Sequence, residues 1–147
     1  MRRGRRVALV LAAIAAFLVL SFFVARWLNT ENVERNAVTD LLRAQARGDV
    51  TAMLRDLRCR DARCVAQARA NARRLRSSGQ LSIVFYESKT SHALGTKEGP
   101  TRVVWTTPGR LTTVQCVLVR RSGTPLSGTS VTLLRLSAPI DRQAPCR

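Results

Sequence analysis

The sequence has few acidic residues, few lysines, one histidine and few aromatic side chains. Asp and Glu together number 9 against 25 Lys and Arg, and aromatic residues make up 5% of the 147 positions. General acid–base catalysis depends mostly on histidine and carboxylate side chains. The chain also contains no Walker loop, dinucleotide-binding fingerprint or H-E-x-x-H motif. We therefore expect that the protein is not an enzyme and that it needs no cofactor.

The basic residues are almost all arginine. Lys89 and Lys97 are the only lysines, so 23 of the 25 basic residues are arginine, and the formal net charge is +16. Arginine keeps its proton at physiological pH, so this charge is permanent and attracts polyanions. A GC-rich genome would produce the same excess of arginine, so composition alone leaves open whether an anionic partner exists.

An apolar run without any charge, VALVLAAIAAFLVLSFFVA, occupies residues 7–25. Nineteen helical residues rise about 28 Å, close to the ~30 Å hydrocarbon core of a membrane. The run is longer than the core of a cleaved signal peptide, so we expect an uncleaved anchor over residues 7–28. The arginines before it indicate a cytoplasmic tail over residues 1–6, with the rest of the chain outside the cytoplasm. They are Arg2, Arg3, Arg5 and Arg6.

The segment after the anchor has the periodicity of an amphipathic helix over residues 31–47, which Asn29 or Thr30 would cap. Gly48 would end this helix. Glu34 is expected in its first turn, beside its polar side. The apolar side consists of Val33, Ala37, Val38, Leu41, Leu42 and Ala44.

Two shorter helices are expected next, each with an aspartate at the N-cap position. Asp49 precedes a short helix, and Asp61 precedes one that runs to about Ser77. After Gly79 the pattern alternates with a period of two, which is typical of strands. It predicts four strands, over residues 81–89, 102–107, 111–121 and 129–136.

Short, turn-rich connections favour antiparallel pairing of neighbouring strands. Helices followed by such a sheet predict an α+β domain over residues 29–137, with two or three helices packed on one face of a four-stranded antiparallel sheet. A tail over residues 138–147 follows. One face of the first strand is expected to carry Leu81, Ile83 and Phe85, and one face of the third Val114, Cys116 and Leu118.

Four cysteines, an even number, favour two disulfides in an oxidising compartment. Of the three possible pairings we expect Cys59–Cys64, which would close a tight corner, and Cys116–Cys146, which would pin the tail to the third strand. Free buried thiols and a zinc site are the alternatives. The spacing of Cys59 and Cys64 matches a zinc finger only loosely, and His92 lies elsewhere, so we expect no metal.

Arginine is concentrated in the second helix, the third helix and the segments that flank the third. We expect this surface to contact anionic lipid, an anionic polymer of the cell envelope, or a membrane protein complex. It has no aromatic side chain for base stacking, so we expect no nucleic-acid partner; the opposite membrane topology would favour one. The residues are Arg55, Arg58, Arg60, Arg63, Arg69, Arg73, Arg74 and Arg76.

A small isomerase-like or hydrolase-like enzyme is the alternative function. Its candidate residues are Tyr86, Glu87 and His92. A deep apolar pocket enclosing one of these side chains would favour this alternative.

The predicted order is an anchor, an amphipathic helix ending in ARGD (Ala46–Asp49), two further helices and an antiparallel sheet. This order resembles the nuclear-transport-factor-like, or ketosteroid-isomerase-like, superfamily of cystatin-like α+β domains. It resembles in particular small membrane-anchored proteins of GC-rich Gram-positive bacteria. The resemblance covers about residues 31–137 and implies a cone-shaped sheet and, in non-enzymatic members, a binding or assembly role. We therefore expect a non-catalytic extracytoplasmic module held in the cell membrane.

Overall fold

The computed structural model describes residues 2–90, 96–124 and 128–146, apart from the side chains of residues 2–6, 8, 26–31 and 124. In these ranges three helices precede four strands, so the predicted α+β class is confirmed. The elements are α1 (Arg2–Arg47), α2 (Val50–Asp56), α3 (Ala62–Arg74), β1 (Ser82–Ser88), β2 (Lys97–Thr106), β3 (Thr113–Thr124) and β4 (Gly128–Leu136).

The strands form one antiparallel sheet in the order β1-β2-β3-β4, so each strand pairs with the next along the chain. This confirms the predicted pairing of neighbours. β2 begins at Lys97, earlier than the pattern predicts. The reason is that Glu98 lies opposite Arg120 on β3 and forms an ion pair with it, which extends the ladder into a polar segment.

α1 is a single helix of 46 residues. The predicted break at Asn29 and Thr30 is therefore wrong, and neither residue caps a new helix. No proline or glycine lies between Arg5 and Arg47. Because asparagine and threonine lower helix stability by at most about 0.7 kcal/mol relative to alanine, they do not end a helix that the rest of the segment favours.

The two ends of α1 have different surroundings. Its large apolar side chains between Val7 and Val24 are 41–67% exposed, whereas Val38, Leu41 and Leu42 are fully buried. In the part of the chain that the structure describes, no helix combines the length and the apolar character of a membrane span.

The C-terminal part of α1 lies at the centre of the hydrophobic core. It packs on one face of the sheet, and α2 and α3 pack beside it on the same face, as predicted. Fully burying each of the large aliphatic side chains in this core stabilises the fold by about 1.5–3 kcal/mol. The partners of α1 in the core include Met53, Leu57, Ala68, Ala72, Val103, Val117, Val119, Leu133 and Leu136.

Both predicted aspartate caps are confirmed. Asp49 Oδ1 accepts a hydrogen bond from the backbone N–H of Ala52 over 2.9 Å, and Asp61 Oδ1 accepts one from Cys64 over 2.7 Å. α3 ends at Arg74 rather than near Ser77. The backbone N–H of Ser77 instead donates to the carbonyl of Ala46 at the end of α1 over 2.8 Å, which draws the chain away from the helix axis.

The prediction that Phe85 shares a face of β1 with Ile83 is wrong. The register with β2 shifts between Ile83 and Phe85, so that Val84 is an extra residue. A bulge of this kind reverses the alternation of side chains along a strand. Phe85 is therefore 49% exposed, and Tyr86 packs against the core.

The C-terminal tail is held against the sheet. Its backbone continues alongside β3, where the N–H of Ile140 donates to the carbonyl of Val114 over 2.9 Å. Further on, the Arg102 guanidinium donates to the carbonyls of Arg142 and Ala144. The face of β3 that carries Val114 and Cys116 is thus the face opposite the helices, where the tail lies.

Candidate functional site

The four cysteines form the two disulfides that we expected. Cys59 and Cys64, with Cα atoms 5.5 Å apart, link the α2–α3 connection to the first turn of α3. Cys116 and Cys146, with Cα atoms 5.7 Å apart, join β3 to the tail. No cysteine is free, so no thiolate is left for a metal. Within the described ranges no cluster of three His, Cys, Asp or Glu residues has the arrangement of a metal site.

All eight arginines that we singled out are exposed. Arg55 forms an ion pair with Asp56, at 3.9 Å, and has most of its side chain in solvent. Of the eight residues, only Arg76 lines either of the two grooves described below. Arg76 differs from the other seven because it lines a groove whose further arginines come from other parts of the chain.

This groove, which we call the arginine groove, has a volume of about 680 Å³. It lies where the end of α1, the α3–β1 connection and the β2–β3 turn meet. Four arginines line it and no acidic residue does. Its lining residues are Arg43, Ala46, Arg47, Arg76, Ser77, Ser78, Gly79, Gln80, Leu81 and Arg110.

Two glycines allow these segments to approach each other. Gly48 has a φ of +73°, a backbone conformation that favours glycine, and a Cβ there would lie 3.1 Å from Cδ of Arg76. A Cβ on Gly79 would lie 2.6 Å from Cδ of Pro108. The stem of Arg76 therefore crosses the end of α1, and the α3–β1 connection rests on the turn that carries Arg110.

The charge in the arginine groove is largely uncompensated. Arg43 lies 3.3 Å from Asp40, in an exposed pair of the kind that contributes at most about 1 kcal/mol. Among the described residues, no carboxylate lies within ion-pair distance of Arg47, Arg76 or Arg110. Guanidinium groups offer paired N–H donors that match phosphate and carboxylate oxygens. This arrangement can bind an anion through several contacts.

Sequence reasoning found Arg76 but missed its three neighbours in the groove. Arg43 and Arg47 are four residues apart, and this spacing places them on one face of α1. Arg110 follows the Thr107-Pro108-Gly109 turn signal. These local signals were available, but the meeting of the segments depends on the packing of α1 against the sheet.

A second polar cluster is buried between α1 and the sheet. Glu34 is fully buried, and its Oε2 lies 2.5 Å from Nε of Arg121, which is 2% exposed. Glu34 Oε1 accepts hydrogen bonds from the hydroxyls of Tyr86 over 2.7 Å and Thr101 over 2.6 Å. Thr90 donates to Oε2 over 3.0 Å. We call these five residues the Glu34 cluster.

The pKa of Glu34 reflects two opposing effects. Burial alone would raise the pKa of this carboxyl, but hydrogen bonds from Thr101, Tyr86 and Ser88 and the charge of Arg121 together lower it below 4.5. The pKa of Tyr86 is raised, first by burial and then by the charge and hydrogen bond of Glu34. Glu34 is therefore an anion and Tyr86 a neutral donor at physiological pH.

Placing Glu34 near the polar side of its helix was wrong. Glu34, Val38, Leu41 and Gln45 follow one another at intervals of four, three and four residues, which puts them on a single face of α1. All four are buried. The periodicity thus contained the signal, but a carboxylate at a core position becomes intelligible only when its partners on β1, β2 and β3 are known.

Tyr86 and Glu87, the two residues of the enzyme alternative that the structure describes, lie on opposite faces of β1. Tyr86 is on the core face of β1, and the next residue, Glu87, is exposed on the opposite face. There Glu87 borders an open groove of about 530 Å³. His92 lies outside the described residues. Tyr86 and Glu87 therefore do not share a pocket.

Comparison of the chain with models of known protein families, with characterised proteins and with solved structures finds no match. The resemblance to the nuclear-transport-factor-like superfamily stays a prediction.

Proposed function

We propose that the protein is a single-pass membrane protein whose domain acts as a non-catalytic binding or assembly module outside the cytoplasm. In this proposal residues 1–6 are a cytoplasmic tail, residues 7–28 are the anchor, and residues 29–147 lie outside. The observation that carries it is the exposure of large apolar side chains along the first half of α1, in a stretch with no charged residue. A helix that is apolar on all sides is stable in nonpolar surroundings.

Charge and cysteine chemistry support the same orientation. Four arginines precede the apolar stretch, and basic residues on a short tail favour retention in the cytoplasm. The two disulfides lie in the domain that the proposal places outside, where an oxidising environment would maintain them.

The continuity of α1 supports a positioning role for the anchor. The helix enters the domain without a break, and Glu34 ties it to three strands through buried hydrogen bonds. A flexible linker would let the domain move freely above the membrane. A continuous helix instead holds the domain at one height, which suits a module that assembles with other envelope components.

The surface charge supports an anionic partner. The eight arginines of α2, α3 and their flanking segments are exposed, and their attraction for anionic lipid or an envelope polymer would weaken as salt concentration rises. We expect increasing salt to detach the domain from envelope material while the anchor stays in the membrane.

Membrane insertion is tested with one substitution at two places. Leu18 is in the middle of the apolar stretch, and Leu111 is 88% exposed in the domain. Arginine in the centre of a membrane helix raises the free energy of insertion by about 2.5–3.5 kcal/mol. Alkaline extraction should therefore release L18R from the membrane fraction, whereas the wild type and L111R should stay in it. Equal behaviour of L18R and L111R, or extraction of the wild type, contradicts the anchor.

Topology is tested by fusing reporters to the C-terminus. A phosphatase that is active only when its disulfides form should be active in the fusion, and a reporter that is active only in the cytoplasm should be inactive. The reverse pattern would overturn the proposed orientation and favour a partner inside the cell.

A further inference from the structure

We infer that the arginine groove binds the phosphate groups of an anionic polymer that lies beyond the membrane surface. This inference rests on the proposed function and gives it a specific site and ligand chemistry. The site differs from the arginine face expected from the sequence, because Arg43, Arg47 and Arg110 are not part of that face and only Arg76 is common to both.

The arginine groove concentrates positive charge. The groove brings four arginines from three separate segments to one cavity, and like charges at close range repel unless an anion lies between them. Among the described residues, Arg47, Arg76 and Arg110 have no carboxylate within ion-pair distance. The packing holds these groups together without an internal counter-charge, and a multivalent anion would supply it.

The polar groups at the end of α1 and at Ser77 favour an anion in the groove. The terminal carbonyl oxygens of a helix repel anions, but at this end of α1 the carbonyls of Ala44, Gln45 and Ala46 accept backbone hydrogen bonds. Ser77, which lines the groove, has a buried hydroxyl with no hydrogen-bond partner in the described part of the chain. Buried polar groups are nearly always paired. A phosphate oxygen or a water bound with it would satisfy this hydroxyl.

Shape indicates a polymer rather than an enclosed small molecule. About 680 Å³ is within the range of ligand sites. The groove lies on the surface and is bordered by exposed residues, including Arg43, Arg76 and Arg110. Because the groove is open to solvent, it can hold a few phosphate groups that belong to a longer chain.

The distance of the groove from the anchor favours a polymer over the lipid headgroups of the membrane that holds the anchor. Arg43, the groove residue on α1 nearest to the anchor, is 15 residues beyond Leu28, so about 22 Å of helix separates the groove from the end of the anchor. This distance exceeds a Debye length of about 8 Å at physiological salt. Headgroups of the membrane that holds the anchor are thus too far away, and a phosphate-bearing polymer of the envelope is the ligand that the geometry favours.

The test uses the full chain in a neutral detergent, with fluorescently labelled linear polyphosphate as the probe and anisotropy as the readout. The groove variant is R47Q/R76Q/R110Q. The matched control is K89Q/K97Q/R135Q, which removes three exposed basic residues that belong neither to the groove nor to the eight arginines of the proposed anionic surface. Both variants lower the net charge by the same amount, so any difference between them reports position rather than total charge.

We expect the groove variant to lose at least about tenfold in affinity at low salt and the control to lose less than about threefold. The slope of log Kd against log salt concentration should also be smaller by about two for the groove variant, because its binding releases fewer counterions. Inorganic phosphate alone should compete only weakly, since it makes one set of contacts rather than several.

Equal losses in the two triple variants would overturn the groove and leave a non-specific basic surface. Absence of binding by the wild type would overturn both the groove and the anionic part of the proposed function, while the anchor and topology are decided by the separate experiments above. A groove variant that loses binding to phosphatidylglycerol vesicles but keeps binding to polyphosphate would overturn the choice of polymer over lipid. If circular dichroism shows that the triple variant does not fold, R110Q alone tests the groove, with R135Q as its control.

Discussion

The Tyr86 hydroxyl donates to Glu34 Oε1 over 2.7 Å across 52 residues of sequence. The contact exists because a bulge at Val84 turns Tyr86 toward α1. The guanidinium carbon of Arg35 lies 5.7 Å from the centre of the same ring, in the range of a cation–π contact. One residue of β1 is thus fastened to two successive residues of the helix that leaves the proposed anchor.

Loss of the Glu34 charge should destabilise the domain strongly. E34Q removes the carboxylate that pairs with buried Arg121, and breaking a buried ion pair by removing one partner costs about 3–5 kcal/mol. D40N is the control, because its pair with Arg43 is exposed and should matter by less than about 1 kcal/mol. Urea unfolding of the full chain in detergent measures both. Adding R121M to E34Q should recover part of the loss, and no recovery would show that the ion pair is not the cause.

Stability should fall in acid through Glu34. Its pKa in the folded protein is lowered from 4.5, so its contribution is fully present above that value and is lost as pH falls through the folded pKa. The free energy of unfolding measured between pH 7 and pH 3 should therefore drop below about pH 4.5. E34Q should show a shallower drop over the same interval, and a parallel drop in the two proteins would contradict the assignment.

The titration of Tyr86 can be followed directly, because it is the only tyrosine in the chain. Its pKa is raised above 10.0, so its contribution to stability is present below that value and is lost as pH rises further. Tyrosinate absorbance should stay low in the folded protein at pH values where the chain in guanidinium chloride titrates normally. Coincident titration curves for the folded and the unfolded chain would show that Tyr86 is not held by Glu34.

The two disulfides should differ in their effect on stability. Cys116 and Cys146 are 30 residues apart, and Cys59 and Cys64 are five apart. The chain-entropy model gives about 3.6 kcal/mol for the longer loop and about 2 kcal/mol for the shorter one. Replacing each pair with serine and comparing denaturation midpoints measures the difference. Greater destabilisation from loss of the short loop would mean that local geometry, rather than loop entropy, decides.

The arginine groove should depend on the small size of Gly79. A Cβ at this position would meet the ring of Pro108, which cannot move aside as a flexible side chain can. Overpacking of this kind costs about 1–3 kcal/mol, so G79A should lower both the unfolding free energy and polyphosphate affinity. S78A, at the exposed neighbour, should change stability by less than about 0.5 kcal/mol. Unchanged polyphosphate affinity in G79A would show that anion binding in the groove does not depend on the close contact between Gly79 and Pro108.

Much of the fold could be predicted because its signals are local. The caps at Asp49 and Asp61, the order of helices and strands, and the pairing of Cys59 with Cys64 follow from residue types and short spacings. The break at Asn29 failed because a capping residue only permits a helix to begin and does not require the preceding one to end. The shared face of Ile83 and Phe85 was predicted wrongly because one inserted residue reverses the alternation, and a single strand does not reveal where its partner accommodates the insertion.

The amino-acid sequence by itself determined the α+β class, the apolar stretch before the domain, the pairing of Cys59 with Cys64 and the excess of arginine. These depend on residue type and on spacings of a few positions. Tertiary structure alone decided that Glu34 and Arg121 form a buried pair and that Arg43, Arg47, Arg76 and Arg110 line one groove. These groups are separated by as many as 87 residues. The way α1 packs on the sheet determines which of them meet, and no local pattern contains that information.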